Sequence, residues 1–259
     1  NEKGGVGKTF IACQFAFYCA QKFRLRTAVI DLDQQGNASR CLEASGLAVK
    51  EKIQATDLLI GGDELQELSA LHERFVYFEA DKRLSLLEKQ GDSAHGVFVD
   101  NLLAALKKLE HAFDVVIIDT NPNPDIRSNA GLLVCTHLVS PIQLTKEPID
   151  GIAALFDRIE EISALNPNLP EGFIGIFLNM VDSSDFQMQN GKALIEQFGK
   201  LLISVDEVKP VFYRDTDGTV KPKLDESGSI FCNHSRIYGA VRRHAGIAEA
   251  QALGRPIWE

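Results

Sequence analysis

The chain has 259 residues, 45% hydrophobic and 24% charged, a composition that suits a globular fold and excludes a disordered polyelectrolyte. Its 27 basic residues against 36 acidic ones give a net charge of −9, which argues against a surface that coats nucleic acid everywhere but leaves room for a local basic patch. No apolar run reaches the roughly 18 residues of a membrane span, and the five cysteines lack paired spacing, so they read as reduced thiols rather than a disulfide framework.

The opening Asn1-Glu2-Lys3-Gly4 is not a signal peptide, and a soluble, intracellular α/β protein is expected. In the segment Phe10–Ala20, Gln14 is the one clearly polar residue, which predicts a helix apolar nearly all round and therefore buried. Thr27-Ala28-Val29-Ile30 reads as a short strand covered on both faces. Phe98, Leu102, Leu106 and Leu109 form one helical stripe, and Val115–Ile118 a second buried strand. His137–Leu144 is a third strand, followed by a helix with Ile149, Ile152, Phe156 and Ile159 on one face, and Phe173–Leu178 is a fourth strand. Alternating strands and helices with short connections predict a doubly wound, mostly parallel sheet with helices on both faces, in a single domain spanning 1–259. Asp206–Glu226, with six acidic and four basic residues, two prolines and Asp217-Gly218, reads as an inserted, exposed loop or hairpin.

Lys3-Gly4-Gly5-Val6-Gly7-Lys8-Thr9 carries the strongest chemical signal. Its glycines let successive N–H groups turn inward, forming an anion cradle at the start of the buried helix. Lys8 adds a positive charge for the β- and γ-phosphates, and the Thr9 hydroxyl can ligate Mg²⁺. The usual phosphate-loop pattern has a glycine five residues before Gly7, where this chain has Glu2. A phosphate loop normally follows a strand, so the natural protein is expected to continue upstream of Asn1. Asp119, at the end of an apolar strand, stands where open α/β sheets place their ligands and suits a Mg²⁺ shell. Asp31 and Asp33 follow another buried strand and share a face, a pair suited to a metal shell and a water nucleophile; the alternative is that one of them caps the helix after Gly36.

With its extra lysine, the glycine run resembles the deviant Walker A motif of the ParA/MinD family of ATPases. Asp31-Leu32-Asp33-Gln34-Gln35-Gly36-Asn37 resembles the family's second acidic motif, with Gln34 where proline is usual. Ile117-Ile118-Asp119-Thr120-Asn121-Pro122 resembles its Walker B motif, with Asn121 in place of a proline. Ile247-Ala248-Glu249-Ala250 and Gly254-Arg255-Pro256-Ile257 are similar to the closing segment of plasmid-partition ParA proteins.

The resemblance implies an ATPase with ATP and Mg²⁺ as its ligands. It makes Lys3, Lys8 and Asp33 catalytic, with Asp33 orienting the attacking water and Lys3 crossing a homodimer interface to the partner's nucleotide. It places Lys3, Gly4, Gly5, Val6, Gly7, Lys8, Thr9, Phe10, Asn179 and Arg243 around the nucleotide, Asn179 at the adenine edge, and Thr9, Asp31 and Asp119 around the metal. Phe10 stands where the family commonly has a hydroxyl, a lost donor that costs about 1 kcal/mol of affinity.

His234–His244 contains Arg236, Arg242 and Arg243 and no acidic residue. By resemblance to partition ATPases these arginines bind DNA without sequence preference; a solvated helix face is the plainer alternative. The partners implied are a second copy of the chain, non-specific DNA and a ParB-type centromere-binding protein, in the cytoplasm on the nucleoid. A membrane partner is not expected. The rival readings are a MinD-like ATP-gated membrane switch and a nucleotide-gated scaffold with little turnover. Cys232 and His234 have no partner pair at zinc spacing, and Cys13 and Cys19 read as core.

Overall fold

A computed structural model of the chain describes residues 5–90, 93–121, 125–144, 172–210, 212–214, 220–222, 232–238, 240–242 and 254–256, with 157, 159–162, 164 and 166; at 93, 94 and 205–242 this covers the backbone alone. The first half is a four-stranded parallel sheet flanked by helices. Helix α1 (Lys8–Phe17) runs into a single π turn (Tyr18–Lys22) and leads to β1 (Thr27–Asp31). Then come α2 (Asn37–Ser45), β2 (Val49–Lys50), α3 (Ala55–Ile60), a 3₁₀ turn (Asp63–Ala70) and β3 (Phe75–Phe78). Short α4 (Leu84–Leu87) and long α5 (Ser93–Leu109) precede β4 (Val115–Asp119) and α6 (Ile126–Val134). The strand order is β2-β3-β1-β4, every pair parallel.

The two-residue period of the strands divides the core between the faces. Ala28 and Ile30 of β1 with Val76 and Phe78 of β3 pack against α3, α5 and α6, whereas Val29, Phe75 and Tyr77 pack against Cys13, Ala16 and Phe17 of α1 and Leu42 of α2. Burial on both faces explains why β1 is apolar throughout except at its ends.

A second parallel sheet, ordered β11-β6-β5, contains β5 (Leu138–Ile142), β6 (Phe173–Val181) and β11 (Ala240–Arg242), with α7 (Asp185–Phe198) against it. All four predicted strands are present, β1, β4 and β6 extending further than expected. The predicted helix with Ile149, Ile152 and Phe156 lies outside the described residues, although Ile159 falls in a helical stretch over 159–162. Within and beyond the polar segment 206–226 the described residues are strands: β7 (Ser204–Pro210) pairs antiparallel with β10 (Cys232–Tyr238), and β8 (Phe212–Arg214) pairs antiparallel with β9 (Val220–Pro222). Among the described residues no helix is long and apolar enough to cross a membrane.

Candidate active site

The start of α1 is built to receive an anion. Its N-cap is Gly7, at φ +87°, with no side-chain cap and no acidic residue in the first turn, so the protein's own side chains leave the first amides uncapped. Gly5, at φ +78°, curls the chain two residues earlier. Two amide side chains from the second sheet hold this curl. Gln143, just past β5, donates to the Gly5 carbonyl at 2.8 Å, and Asn179 of β6 donates to the Val6 carbonyl at 2.8 Å. In trans peptides the N–H points opposite the carbonyl, so these bonds turn the Val6 and Gly7 amides to the other side, into the cradle. Gly7 also permits close approach: a Cβ there would lie 2.2 Å from the Asn179 amide nitrogen.

Asn179 is 1% exposed, and its Oδ1 is buried with no partner. It stands beneath the phosphate loop as a support, a role that the expected adenine contact did not include. The neighbouring Met180 has φ +55°, an uncommon conformation for a residue with a side chain.

Three carboxylates gather at the ends of β1 and β4. Asp31 and Asp119 are register partners there. Asp31 is engaged locally: Ser39 donates to it through its amide at 2.8 Å and its hydroxyl at 2.7 Å, and the Asp33 amide donates at 3.1 Å. Burial still raises its pKa to about 6. Oδ2 thus anchors the first turn of α2, and Oδ1 holds the loop at Asp33. Asp33 accepts from the Gln35 amide at 2.9 Å, closing a turn that ends at Gly36, φ +62°.

Asp119 differs. It is 2% exposed, Thr9 hydrogen-bonds to it, and its Oδ2 is buried without a partner. Burial first, and Asp31 second, push its pKa up to about 7, while the Thr9 bond and the Lys8 charge oppose the shift. Burial lowers the pKa of Lys8, and Asp119 and Asp33 hold it up, so the ammonium shares one locus with both carboxylates.

A divalent cation fits this arrangement. Among the described residues no group of three His, Cys, Asp or Glu side chains could cage a metal alone. Magnesium needs no such cage, because it binds through one or two carboxylates plus substrate phosphates and water. The unpartnered Oδ2 of Asp119 beside the Thr9 hydroxyl supplies that minimal set.

Of the predicted residues, Gly5, Val6, Gly7, Lys8, Thr9, Asp31, Asp33, Asp119 and Asn179 come together at this one end of the sheets. Phe10 is buried in α1. Lys3, Gly4 and Arg243 lie outside the described residues, and for Arg236 and Arg242 the backbone alone is described. They lie on β10 and β11, strands rather than a helix, and Arg236 is registered opposite Asp206. The stretch free of acid in the chain thus acquires acidic neighbours across the ladder.

Sequence reasoning missed a network at the start of α6. Asp125 caps that helix, accepting from the Arg127 and Ser128 amides at 2.9 and 3.1 Å. Arg127, 1% exposed, pairs with Asp125 and Glu88. Asn121 donates to Asp125 and accepts from the Ser128 hydroxyl at 2.9 Å. Asn121 thereby holds the segment after Asp119 by hydrogen bonds where the resembling motif has a proline.

Comparison with known proteins places this geometry in a family. A family profile described as an AAA domain matches residues 1–170. Protein IncC of Escherichia coli is 33% identical over 199 residues, 76% of this chain and 53% of that protein. The chromosome-partitioning ATPase Soj of Thermus thermophilus is 30% identical over 204 residues, 77% of this chain and 75% of Soj. This chain therefore spans about half the length of the IncC proteins it matches. Among solved structures, apo McdA of Cyanothece aligns over 99% of this chain and 88% of McdA, with a TM-score of 0.69 and 18% identity. Cobyrinic acid a,c-diamide synthase of Mycobacterium smegmatis, with an ATP analogue and magnesium, aligns over 78% of this chain and 82% of the synthase (TM-score 0.61, 22% identity). These two likenesses concern the fold.

Proposed function

The chain belongs to the ParA/MinD family of P-loop partition ATPases, and from that membership we propose that it binds ATP with magnesium, hydrolyses it, and uses the cycle to gate a DNA-bound dimer in plasmid or chromosome partition. The observation that carries the reading is the meeting of Lys8 and the Thr9–Asp119 pair at the mouth of an anion cradle.

Phosphoryl transfer to water requires charge neutralisation and an oriented nucleophile. The Val6 and Gly7 amides and Lys8 bind the phosphate oxygens. Asp119 and Thr9 would hold magnesium, which when bound shields the charge between the β- and γ-phosphates. Asp33 orients the attacking water. Asp31 works through Ser39, setting the loop that carries Asp33, with a place in the metal's outer shell. Asn179 supports the loop and reaches the base with its remaining amide capacity.

In the same reading, Lys3 is delivered to the nucleotide of a second protomer, coupling dimerisation to the γ-phosphate. Arg236, Arg242 and Arg243 contribute to a DNA surface, and Arg243 is also available to the nucleotide. A ParB-type partner stimulates turnover, the whole chain forms one domain, and the protein works on the nucleoid in the cytoplasm. Six phosphate contacts per dimer correspond to a salt slope of roughly −5. The test is ATP-dependent dimerisation and DNA retention across a salt series for wild type and Lys3→Ala. Dimers that form only with wild type and ATP, and a steep salt dependence, support the reading. Equal dimerisation by Lys3→Ala, or ATP-bound protein that ignores DNA at low salt, contradicts it.

A further inference from the structure

Behind the phosphate loop, the two helices that frame the site meet through a pair of thiols. Cys13 lies on α1 one turn beyond Thr9, and Cys41 lies midway along α2, the helix that follows Asp33. Cys13 is fully buried and Cys41 half-buried, and both belong to the apolar cluster that joins α1 to α2. The Cys13 and Cys41 thiols lie close enough for each to shift the other's titration, and the Cys13 sulfur is 4.0 Å from the carbonyl oxygen of Ala38, one turn before Cys41 on α2. Neither is in a disulfide. Of the other described thiols, Cys135 donates to the Leu132 carbonyl at 3.3 Å and Cys19 is buried in the π turn. The segment Gly254–Pro256 lies over the same seam. Arg255 accepts from Gln14 of α1 at 3.0 Å, and a Cβ at Gly254 would lie 2.3 Å from the Cys41 carbonyl oxygen.

We propose that Cys13 and Cys41 are a modification site, forming a reversible disulfide with a hydroperoxide as the two-electron oxidant and so tying the phosphate-loop helix to the helix behind Asp33. The half-exposed Cys41 reacts first. The neighbouring Cys13 thiol lowers its pKa, whereas Cys41 and then burial raise that of Cys13. The Cys41 thiolate, its proton given to water, attacks one oxygen of hydrogen peroxide; an S–O bond forms, the O–O bond breaks, and the leaving hydroxide takes up a proton equal to the one Cys41 gave. The Cys13 sulfur then attacks the Cys41 sulfur, the S–S bond forms, the S–O bond breaks, and the departing hydroxide takes the Cys13 proton as water. Two thiols lose two electrons, and the peroxide becomes two waters. An S–S bond is about 2.0 Å long, so closure draws together two helices that are already packed. Disulfide formation stands independently of the proposed ATPase cycle; its effect on turnover rests on that reading.

The experiment treats the full chain with hydrogen peroxide, then measures intact mass, maps disulfide peptides, and follows phosphate release before and after dithiothreitol. The expected result is loss of two hydrogens, a Cys13–Cys41 linked peptide, and a several-fold fall in turnover that the reductant reverses. Cys41→Ser gives no linked peptide and keeps its turnover under peroxide. Reduced Cys13 beside a Cys41 carried on to sulfinic acid, or no linked peptide, overturns the proposal. The mapping uses wild type and needs no turnover, so failure of this pair and failure of the nucleotide reading are told apart.

Discussion

Asp31 and Asp119 are register partners at the ends of adjacent parallel strands, yet only Asp31 has both oxygens engaged: Ser39 and the Asp33 amide hold it, while Oδ2 of Asp119 is buried without a partner. Two carboxylates side by side in a dry site, one of them incompletely paired, destabilise the empty protein. They become favourable only when positive charge arrives.

This makes stability depend on pH. The folded state raises Asp119 to about 7 and Asp31 to about 6, so it binds these protons more tightly than the unfolded chain. Their contribution to stability is therefore present at low pH and falls as pH rises through roughly 4 to 7. The nucleotide-free Asp119→Asn variant is expected to match wild type near pH 4 and to exceed it by on the order of 2–4 kcal/mol at pH 8. Urea unfolding of both proteins across this range checks it. A difference that does not grow with pH would place the raised proton elsewhere.

The two glycines of the loop should respond unequally to alanine. Both have positive φ, which costs an alanine about 1–2 kcal/mol. A Cβ at Gly5 meets nothing within 4 Å, whereas one at Gly7 lies 2.2 Å from the Asn179 amide. Gly7→Ala is expected to abolish ATP binding and Gly5→Ala to weaken it about tenfold. Asn179→Ala leaves the Val6 carbonyl unheld and should cost about 1–2 kcal/mol of nucleotide affinity. Calorimetric titration with ATP and magnesium measures all three.

Much of this was legible in the sequence, and the failures have physical causes. Strand β1 stood out because burial on both faces demands an unbroken apolar run; β4 and β6 carry similar runs although several of their residues are only partly buried. Strand β3, Phe75-Val76-Tyr77-Phe78, carries the same aromatic and β-branched signal and could have been read. Gly5, Gly7, Lys8 and Thr9 were legible because phosphate binding dictates residue types at fixed spacing. Gln143 and Arg127 were not: each acts through a partner distant in the chain, Gly5 and Glu88 respectively, and only the fold brings them together; Ser39 is only 8 residues from Asp31, but its bond depends on how the chain turns between β1 and α2. The arginines of 236–243 show the converse, a local charge pattern whose meaning changes once β7 lies beside β10.

Ser39 should act on catalysis without touching substrate. Its hydroxyl donates to Asp31 and accepts from the Ala80 amide at 3.0 Å, joining the Asp31–Gly36 loop to the segment after β3. Ser39→Ala is expected to lose about 1–2 kcal/mol of stability and to lower kcat more than it weakens ATP binding, because Asp33 is left less firmly placed. Unchanged kcat would separate this bond from the water-orienting loop.

Arg127 is buried between Asp125 and Glu88. Arg127→Met leaves the half-buried Asp125 without its counter-ion and should destabilise the protein by about 3 kcal/mol. The paired variant Arg127→Met with Asp125→Ser keeps a helix cap without the stranded charge and should recover a large part of the loss. Denaturant midpoints for the two proteins decide it.

The central claim is that one end of these sheets performs phosphoryl transfer to water, with Asp33 directing the water. Single-turnover phosphate release at saturating ATP and magnesium, with non-specific DNA present, tests it most directly in wild type and Asp33→Ala. Both proteins are expected to bind ATP, and only wild type to release phosphate at an appreciable rate. Equal release by the two would contradict the account.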